Sequence, residues 1–432
     1  MTVTRTMLSG PPTTAGKPVA ALAICLAVAL QCLECCADQW PRFRGPNGSG
    51  QSQADGIPVT WTAKDYNWRV KLPGIGYSSP VISGELLYVT SAINEDATRI
   101  IRCLKTADGS LVWEKTLASS KHHVHNFNCF ASSSPVVDSR HVYIAWATPE
   151  RYLVAALDKH TGAELWRQDL GPFVAEHGFG ASPIVWNDLL IVPNEQDGPS
   201  SIVALDCRTG QIRWKTDRRT ARTAYATPVI YQGEGPPQLI LASMAHGVYS
   251  LDPSTGKPNW ELPVFQWRVV GSPMIAAGLI IASCGEGGGG KRTVAIRPGE
   301  PSKGIPPKLE YEFQGSLPYV PVPVAYGDLL FLWSDSGVVT CAEAPTGKIH
   351  WRERVGGKFF GSPVCVRDKL YCMSREGLMY VLAASKDFKL LAKIDLEEPS
   401  NATPAVADGV MYLRTNSHLM SLGGKKSNGA SR

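Results

Sequence analysis

Short apolar runs separated by turn residues fill most of the chain, a pattern that predicts β-strands rather than helices. Residues 81–83 and 86–89, for example, are two apolar runs that are separated only by Gly84 and Glu85. Two such runs joined by a two-residue turn are typical of a β-hairpin. A third run, such as residues 202–205, leads into a turn of the form Asp-x-x-Thr-Gly, and Trp214 follows that turn. The pattern therefore predicts groups of four strands with a large aromatic residue on the fourth.

The four-strand pattern recurs along the chain and begins each time at a proline. Successive prolines lie 40 to 55 residues apart, from 323 to 363 at the narrowest and from 80 to 135 at the widest. The starting pairs are Ser79-Pro80, Ser134-Pro135, Ser182-Pro183, Thr227-Pro228, Ser272-Pro273, Val322-Pro323, Ser362-Pro363 and Thr403-Pro404. Proline has no N–H, so it is tolerated at the first residue of a strand. Four strands in a repeat of this length are typical of a β-propeller blade, and eight repeats predict eight blades.

The two ends of the repeat region predict how the ring closes. Trp68 lies on a run that matches a fourth strand, yet it precedes the first Ser-Pro pair, whereas the last repeat, from Thr403, has only three strands. Pairing the N-terminal strand with the last blade would complete that blade and remove two open sheet edges. We therefore predict an all-β, eight-bladed propeller of four-stranded antiparallel blades over residues 61–423. We expect residues 38–60 to be an N-terminal extension and residues 424–432 to be a disordered tail.

The N-terminus and the overall charge bear on location and partners. An apolar run over residues 19–30 follows Arg5 and Lys17, which is typical of a signal peptide and too short to span a bilayer. We expect cleavage after Ala37, an exported mature chain that does not cross a membrane, and no lipid anchor. The chain has 43 Lys and Arg against 38 Asp and Glu, a net charge of +5 without a basic cluster, so nucleic acid is not an expected partner.

The cysteines of the predicted mature chain do not form a regular framework. Seven remain after Ala37, at irregular spacings. Cys365 and Cys372 would face each other if Asp368 and Lys369 formed a two-residue turn. Buried free thiols and a cross-strand disulfide are both compatible with the sequence at that position.

The turn and the tryptophan together resemble the blade signature of the PQQ-repeat, or quinoprotein-like, propellers. The signature Ala-Leu-Asp-x-x-Thr-Gly-x-x-x-Trp stands nearly intact at residues 156–166, 204–214 and 250–260, and residues 40–50 are similar to the start of exported bacterial proteins of this type. The resemblance implies an eight-bladed propeller. It also implies one of two functions, since the family includes quinoprotein dehydrogenases and non-enzymatic outer-membrane assembly proteins of the BamB kind.

We expect the non-catalytic function, a monomeric binding or scaffolding module for protein or envelope partners in the bacterial periplasm or cell envelope. The alternative is a PQQ-dependent dehydrogenase that oxidises an alcohol or sugar, for which the resemblance implies PQQ and Ca²⁺ as cofactors. The quinoprotein alcohol dehydrogenases hold PQQ against an adjacent Cys-Cys pair. The pair present here, Cys35-Cys36, belongs to the predicted signal segment.

In a propeller, the loops that lead into each first strand share one face with the loops that join the second and third strands. Polar residues on these loops are densest in blades 2 to 4, which predicts a ligand site there. The candidate cofactor-binding residues are His177, Asn194, Glu195, Asp197, Tyr225, His246, Trp267 and Arg268, and the candidate metal ligands are His122, His123, His125 and Glu176.

Each candidate group also has a structural interpretation. His123 and His125 would share a face of an extended segment and could bind a metal, or the segment could be an exposed insertion. Glu176, Asn194 and Asp197 could supply oxygens to Ca²⁺, or be polar loop tips. Arg268 could hold an anion, or stack on Trp267.

Overall fold

The computed structural model describes residues 1–4, 6, 7, 10 and 39–424. The predicted signal peptide falls almost entirely outside these residues, and so do residues 425–432 of the predicted tail. The described strands form eight sheets, each with four antiparallel strands in succession, which confirms the predicted eight-bladed propeller. The helices of the described residues are short 3-10 turns, at Pro46–Gly48, Ala63–Asp65 and Pro301–Lys303. No described helix is long and apolar enough to cross a membrane.

The first four blades follow one another along the chain, each running from the channel outwards. Blade 1 consists of Val81–Ser83, Leu86–Ala92, Arg99–Lys105 and Leu111–Leu117. Blade 2 consists of Val136–Val137, His141–Ala147, Tyr152–Asp158 and Glu164–Asp169. Blade 3 consists of Ile184–Trp186, Leu189–Asn194, Ser200–Asp206 and Ile212–Arg218. Blade 4 consists of Val229–Tyr231, Gln238–Ser243, Gly247–Leu251 and Pro258–Leu262.

The last four blades keep the same order, with an addition at blade 7 and the closing strand at blade 8. Blade 5 consists of Met274–Ala276, Leu279–Glu286, Gly289–Arg297 and Lys308–Phe313. Blade 6 consists of Val324–Tyr326, Leu329–Trp333, Val338–Glu343 and Ile349–Arg354. Blade 7 consists of Val364–Val366, Lys369–Met373, Leu378–Ala383 and Leu390–Asp395, and Gln51–Ser52 joins its inner edge as a parallel strand. Blade 8 consists of Ala405–Ala407, Val410–Arg414, His418–Gly423 and the N-terminal Tyr66–Lys71.

The ring closes as the sequence predicts. Tyr66–Lys71 pairs antiparallel with His418–Gly423, and Trp68 lies opposite Ser421. The first strand of the propeller therefore completes the last blade as its outermost strand.

The turn-and-tryptophan signature forms the joint between neighbouring blades. The indole N–H of Trp113 in blade 1 donates to the carbonyl of Lys159 in the blade 2 turn, at 3.0 Å. Gly162 of that turn lies against the same ring, since a Cβ there would come within 2.6 Å of it, and its φ of +71° suits glycine. The same contact recurs between Trp166 and Gly210. The signature thus recurs because each blade needs a flat partner surface for the preceding indole.

The Ser and Thr of the Ser/Thr-Pro pairs form a second set of joints, around the channel. The backbone N–H of Ser79 donates to the hydroxyl of Ser134, at 2.9 Å, and the N–H of Ser134 donates to Ser182, at 3.0 Å. Equivalent bonds link blades 4 and 5, 6 and 7, 7 and 8, and 8 and 1. Val322 occupies the corresponding position in blade 6 and has no hydroxyl to accept such a bond. The hydroxyls therefore explain why the proline is preceded by Ser or Thr.

The predicted N-terminal extension closes one end of the channel. Trp40 is fully buried and its backbone pairs with that of Ile82 in blade 1. The buried guanidinium of Arg44 donates to the carbonyls of Pro323 and Pro363, at 2.7 and 2.9 Å, in blades 6 and 7. Arg42 donates to the carbonyl of Pro228 in blade 4, at 2.6 Å. Residues 40–52, which we call the plug, therefore bind several blades at once.

The cysteines of the described residues are buried free thiols. The condition for facing cysteines, a two-residue turn at Asp368 and Lys369, is not met, because Val366 pairs with Lys369 and Cys365 lies opposite Leu370. Arg367, with a φ of +50°, and Asp368 form the turn instead. Cys365 and Cys372 are therefore not cross-strand partners, and burial raises the pKa of the Cys365 thiol to about 12.

Candidate functional site

A cavity of about 680 Å³ occupies the channel mouth opposite the plug. Its base is the ring of residues that precede the first-strand prolines, together with Phe43 of the plug. Its walls come from the loops that lead into the first strands and from second-to-third-strand loops of blades 5, 6 and 7. The cavity therefore opens on the face that the sequence predicts, and the plug makes it one-sided.

Glu176 and Arg268 form an ion pair on the wall near blades 3 to 5. The Arg268 guanidinium donates to Glu176 at 2.6 Å, and Arg222 reaches the same carboxylate oxygen at 2.5 Å. The hydrogen bond from Arg268 is the main reason that the pKa of Glu176 lies below its usual value. Because two cations hold this carboxylate in its charged form, it is poorly suited to accept a proton.

The long loop between blades 1 and 2 lies across the mouth. The ring of His125 in this loop stacks on the ring of His177, with centroids 4.4 Å apart. Burial is the main cause that lowers the pKa of His177, and the positive charge of Arg268 is the next. Asn128 fixes the loop by donating to the carbonyls of His177 and Phe179, at 2.7 and 3.1 Å.

A second ion pair lies on the wall near blades 5 and 6. The Lys291 ammonium is 3.1 Å from Asp335. Asp335 also accepts hydrogen bonds from the backbone N–H groups of Tyr319 and Val320, at 2.8 and 3.1 Å. This carboxylate therefore anchors the loop that leads into blade 6.

On the blade 7 wall, the guanidinium of Arg375 packs against two phenyl rings. Its guanidinium carbon is 4.4 Å from the centroid of Phe127 and 4.4 Å from that of Phe360. The two rings are 5.6 Å apart and tilted by 70°, so they form a corner around the guanidinium. The Nε–H donates to the side-chain oxygen of Asn401, at 3.2 Å.

The structure brings together part of the predicted site and leaves the rest outside the cavity. The predicted residues that line the cavity are His125, Glu176, His177, Tyr225 and Arg268. Those that do not line it are His122, His123, Asn194, Glu195, Asp197, His246 and Trp267.

Asn194 and Asp197 are used within the loops of blade 3. The Asn194 side-chain oxygen accepts from Gln196, at 2.9 Å. One carboxylate oxygen of Asp197 accepts from the Thr223 N–H, at 2.7 Å, and the other from the Glu176 N–H, at 2.9 Å. Asp197 thus joins the loops leading into blades 3 and 4, and both of its carboxylate oxygens are used by backbone N–H groups.

Glu195 and His246 lie in the wall between blades 3 and 4. Glu195 is buried beside Ser243, Tyr249 and Arg218, and burial raises its pKa to about 7. The Nδ1 atom of His246 is 2.8 Å from Glu261, and its Nε2 accepts from the backbone N–H of Arg219, at 3.0 Å. Both side chains face the interior of the wall instead of the channel mouth.

The remaining predicted residues lie on separate surfaces. His122 contacts the edge of Phe130, with centroids 5.0 Å apart, whereas His125 turns towards His177. Trp267 packs against Gly290 and not against Arg268. Within residues 39–424, His, Cys, Asp and Glu form no group of three or more that could hold a metal ion.

The lining residues do not fit PQQ and Ca²⁺ as the resemblance implies them. No cysteine of residues 39–424 lines the cavity, so an adjacent Cys-Cys pair is not available there. The two paired carboxylates, Glu176 and Asp335, are occupied by cations and backbone N–H groups. We therefore derive no catalytic step through these cofactors.

Sequence reasoning missed the blade 7 side of the cavity. Phe360 and Asn401 lie on the loops that lead into blades 7 and 8, and Arg375 lies on a second-to-third-strand loop. The same loop topology that pointed to blades 2 to 4 could have indicated these positions. Their contact with Phe127, which comes from the loop between blades 1 and 2, has no local signal in the sequence.

These features define a PQQ-repeat propeller with a closed base and an open binding cavity. Residues 97–303 and 308–387 match a family model, PQQ_2, that is described as outer membrane protein assembly factor BamB. The match covers well over half of the chain, and the protein therefore belongs to this family. No curated protein sequence matches the chain.

Solved structures share the fold at low sequence identity. BamB from Moraxella catarrhalis is 15% identical with a TM-score of 0.60, over 83% of this chain and 97% of that one. The quinohemoprotein alcohol dehydrogenase from Comamonas testosteroni is 14% identical with a TM-score of 0.62, over 89% of this chain and 80% of that one. The fold is thus shared by an assembly factor and an enzyme, and it does not decide between their functions.

Proposed function

We propose that the protein is an exported, non-catalytic propeller that acts as a binding module in the bacterial cell envelope, with the channel-mouth cavity as its binding face. The observation that carries this proposal is the one-sided cavity of about 680 Å³, which is within the usual range for ligand pockets. Family membership supports the envelope location and protein partners.

Unpaired polar atoms in the wall support binding at this face. The Tyr225 hydroxyl and the Nδ1 atom of His177 are buried and make no hydrogen bond within the described residues, and Nδ1 lies 3.9 Å from a carboxylate oxygen of Glu176. A buried polar group without a partner costs free energy, roughly 1–3 kcal/mol. A bound partner or ordered water that supplied these hydrogen bonds would recover part of that cost.

Glu176 and Asp335 are poorly suited to act as general bases. A general base needs an available carboxylate or imidazole near the reacting proton. Both carboxylates are instead engaged in ion pairs that hold neighbouring loops in place.

Site-specific photo-cross-linking in the cells that produce the protein tests the binding face. The cross-linking residue p-benzoylphenylalanine replaces Lys358, an exposed residue at the cavity rim, or Arg213, an exposed residue on the outer strand of blade 3 as the control. We expect a discrete adduct from position 358 and none from position 213. Equal labelling at both positions, or adducts from position 213 alone, would contradict the proposal.

The dehydrogenase alternative has a separate test. Purified protein is incubated with PQQ and Ca²⁺, passed through a desalting column, and assayed for a retained quinone absorbance and for dye-linked oxidation of alcohols and sugars. The proposal predicts that neither is observed. A stoichiometric quinone together with turnover would establish the enzyme instead.

A further inference from the structure

Arg375 differs from Arg268 and Lys291, two other cations of the cavity wall. Arg268 is paired with Glu176 at 2.6 Å, and Lys291 with Asp335 at 3.1 Å. Arg375 makes no ion pair within residues 39–424, and its side chain donates a hydrogen bond to the neutral amide of Asn401. The neighbouring Glu376 interacts with it electrostatically but does not line the cavity, so the part of the guanidinium that faces the cavity has no carboxylate within ion-pair distance in the described chain.

The surroundings of Arg375 hold its guanidinium in place while leaving one edge open. The Nε–H is used by Asn401, and Phe127 and Phe360 cover two adjacent sides. Neither Nη atom donates to an acceptor in the described part of the protein, and neither is among its buried unpaired atoms. Two parallel N–H donors at the end of an oriented guanidinium match the two oxygens of a carboxylate.

The surfaces beside this edge are largely apolar. Phe127 and Phe360 flank the guanidinium, and Tyr77 and Val320 line the same cavity, with Phe43 of the plug at its base. A small, strongly hydrated ion would lose hydrogen bonds to water here, and these apolar surfaces would offer none in their place. A ligand with one charged end and an apolar remainder would fill both environments.

We infer that Arg375 is the anion-binding residue of the cavity and that the ligand is a carboxylate carried on an apolar body. This inference rests on the proposed function of the cavity as the binding face. The same chemistry is available from a small organic acid and from the C-terminus of a peptide that ends in an apolar residue. The carboxylate binds the two Nη atoms, and the apolar body packs on the phenyl rings.

Binding of matched acids and amides, measured by isothermal titration calorimetry, tests the inference. The small-molecule arm compares 3-phenylpropionate with 3-phenylpropionamide, and the peptide arm compares Ala-Ala-Phe with its C-terminal amide. We expect the acid of at least one arm to bind about tenfold to a hundredfold more tightly than its amide, as a charge-assisted hydrogen bond would give. The arm with the tighter acid identifies the source of the carboxylate.

Variants assign the effect to Arg375. Arg375→Met should abolish the difference between acid and amide, Arg375→Lys should retain part of it, and the control Arg213→Met should leave it unchanged. If Arg375→Met does not fold, Asn401→Asp provides an equivalent test, because it places a carboxylate beside the guanidinium and should weaken binding of the acid. Equal binding of acid and amide, no binding of either, or an unchanged preference in Arg375→Met would overturn the inference.

The calorimetric test of the carboxylate ligand and the cross-linking test of the binding face can fail independently. A cross-link from position 358 with no preference for the acids would refute the carboxylate ligand and retain the binding face. A preference for the acid that requires Arg375, without a cross-link, would support the carboxylate site and contradict the partner proposed for the face.

Discussion

The closed end and the open mouth of the channel both use arginine, with opposite consequences. At the closed end, Arg44 is fully buried and its guanidinium donates to backbone carbonyls of blades 6 and 7. At the mouth, Arg375 donates a single side-chain hydrogen bond to the neutral Asn401, and its Nη atoms have no acceptor in the described chain. The acceptors around a guanidinium, more than its presence in a loop, therefore decide whether it stabilises the fold or is available to a ligand.

Among the substitutions considered, loss of Arg44 at the closed end should reduce stability most. Arg44→Met should lower the free energy of unfolding by about 3 kcal/mol, because it leaves carbonyls of two blades without donors inside the protein. The desolvation of the arginine itself offsets part of the hydrogen-bond energy in the native protein. Urea unfolding followed by tryptophan fluorescence measures the change. A loss below about 1 kcal/mol would show that the plug is not a structural part of the ring.

The wall between blades 3 and 4 should give the next largest effect, as a dependence on pH. Burial raises the pKa of Glu195 to about 7, so the folded protein holds this proton more tightly than the unfolded chain, where the pKa is about 4.3. At low pH Glu195 is neutral in the folded protein. The stability that this protonated form gives the fold is lost as the pH rises through about 7. Between pH 5 and pH 8 the unfolding free energy should fall by about 2 kcal/mol from this group.

Glu195→Gln tests that pH dependence, because glutamine keeps the shape and cannot ionise. Denaturant unfolding at pH 5 and pH 8 should show a smaller fall in the variant than in the native protein. The control is Glu353→Gln on the exposed outer strand of blade 6, which should keep the native fall. If the unfolding free energy of Glu195→Gln fell as much as that of the native protein, Glu195 would have to be charged in the folded wall. It would then resemble the charged carboxylates of the channel mouth.

The Ser and Thr hydroxyls that link neighbouring blades form a ring at the base of the cavity. Each of their hydrogen bonds should contribute a smaller amount to the unfolding free energy. Ser134→Ala removes the acceptor of the buried Ser79 N–H and should cost about 1.5 kcal/mol in urea unfolding. Val322→Thr is the converse change, since it offers a hydroxyl where the ring has none. If these hydroxyls stabilise the blades, Val322→Thr should change the unfolding free energy by no more than about 0.5 kcal/mol. Val324→Thr, in the first strand of blade 6, should lower the unfolding free energy by a larger amount.

The smallest effect on stability is expected at the mouth. Arg375→Met should change the unfolding free energy by only about 0.5 kcal/mol, because it removes partly exposed cation–π contacts and one hydrogen bond. Urea unfolding of Arg375→Met beside Arg44→Met compares the two ends directly. Equal losses in the two variants would contradict the distinction between a structural arginine and an available one.

The fold was predictable because each repeated residue has a local cause. Pro starts a strand, the turn glycine accommodates an indole, and Ser or Thr accepts a bond across the channel, so the repeat recurs visibly in the sequence. The plug left no comparable signal. Arg42 and Arg44 find their acceptors 186 and 319 residues further along the chain, and such contacts form only when the ring has closed.

The sequence predicted which face of the propeller carries the cavity, but it predicted the residues that line the cavity less well. The face was deduced from how propeller loops alternate, and His125, Glu176, His177, Tyr225 and Arg268 do line the cavity. Asp197 had the composition of a ligand-binding residue, but its carboxylate is used by backbone N–H groups of the neighbouring loop. Whether a loop carboxylate is free depends on nearby backbone, which the residue pattern alone does not show.

Hydrogen–deuterium exchange of the protein, with and without 3-phenylpropionate or the Ala-Ala-Phe peptide, compares the closed end and the open mouth in one experiment. We predict slow exchange in residues 40–52, like that of the blade strands, and no change on adding the ligand. Residues 119–130 and 356–361 should exchange faster and become protected by the ligand. Rapid exchange in residues 40–52, or protection there instead of at the mouth, would contradict the account.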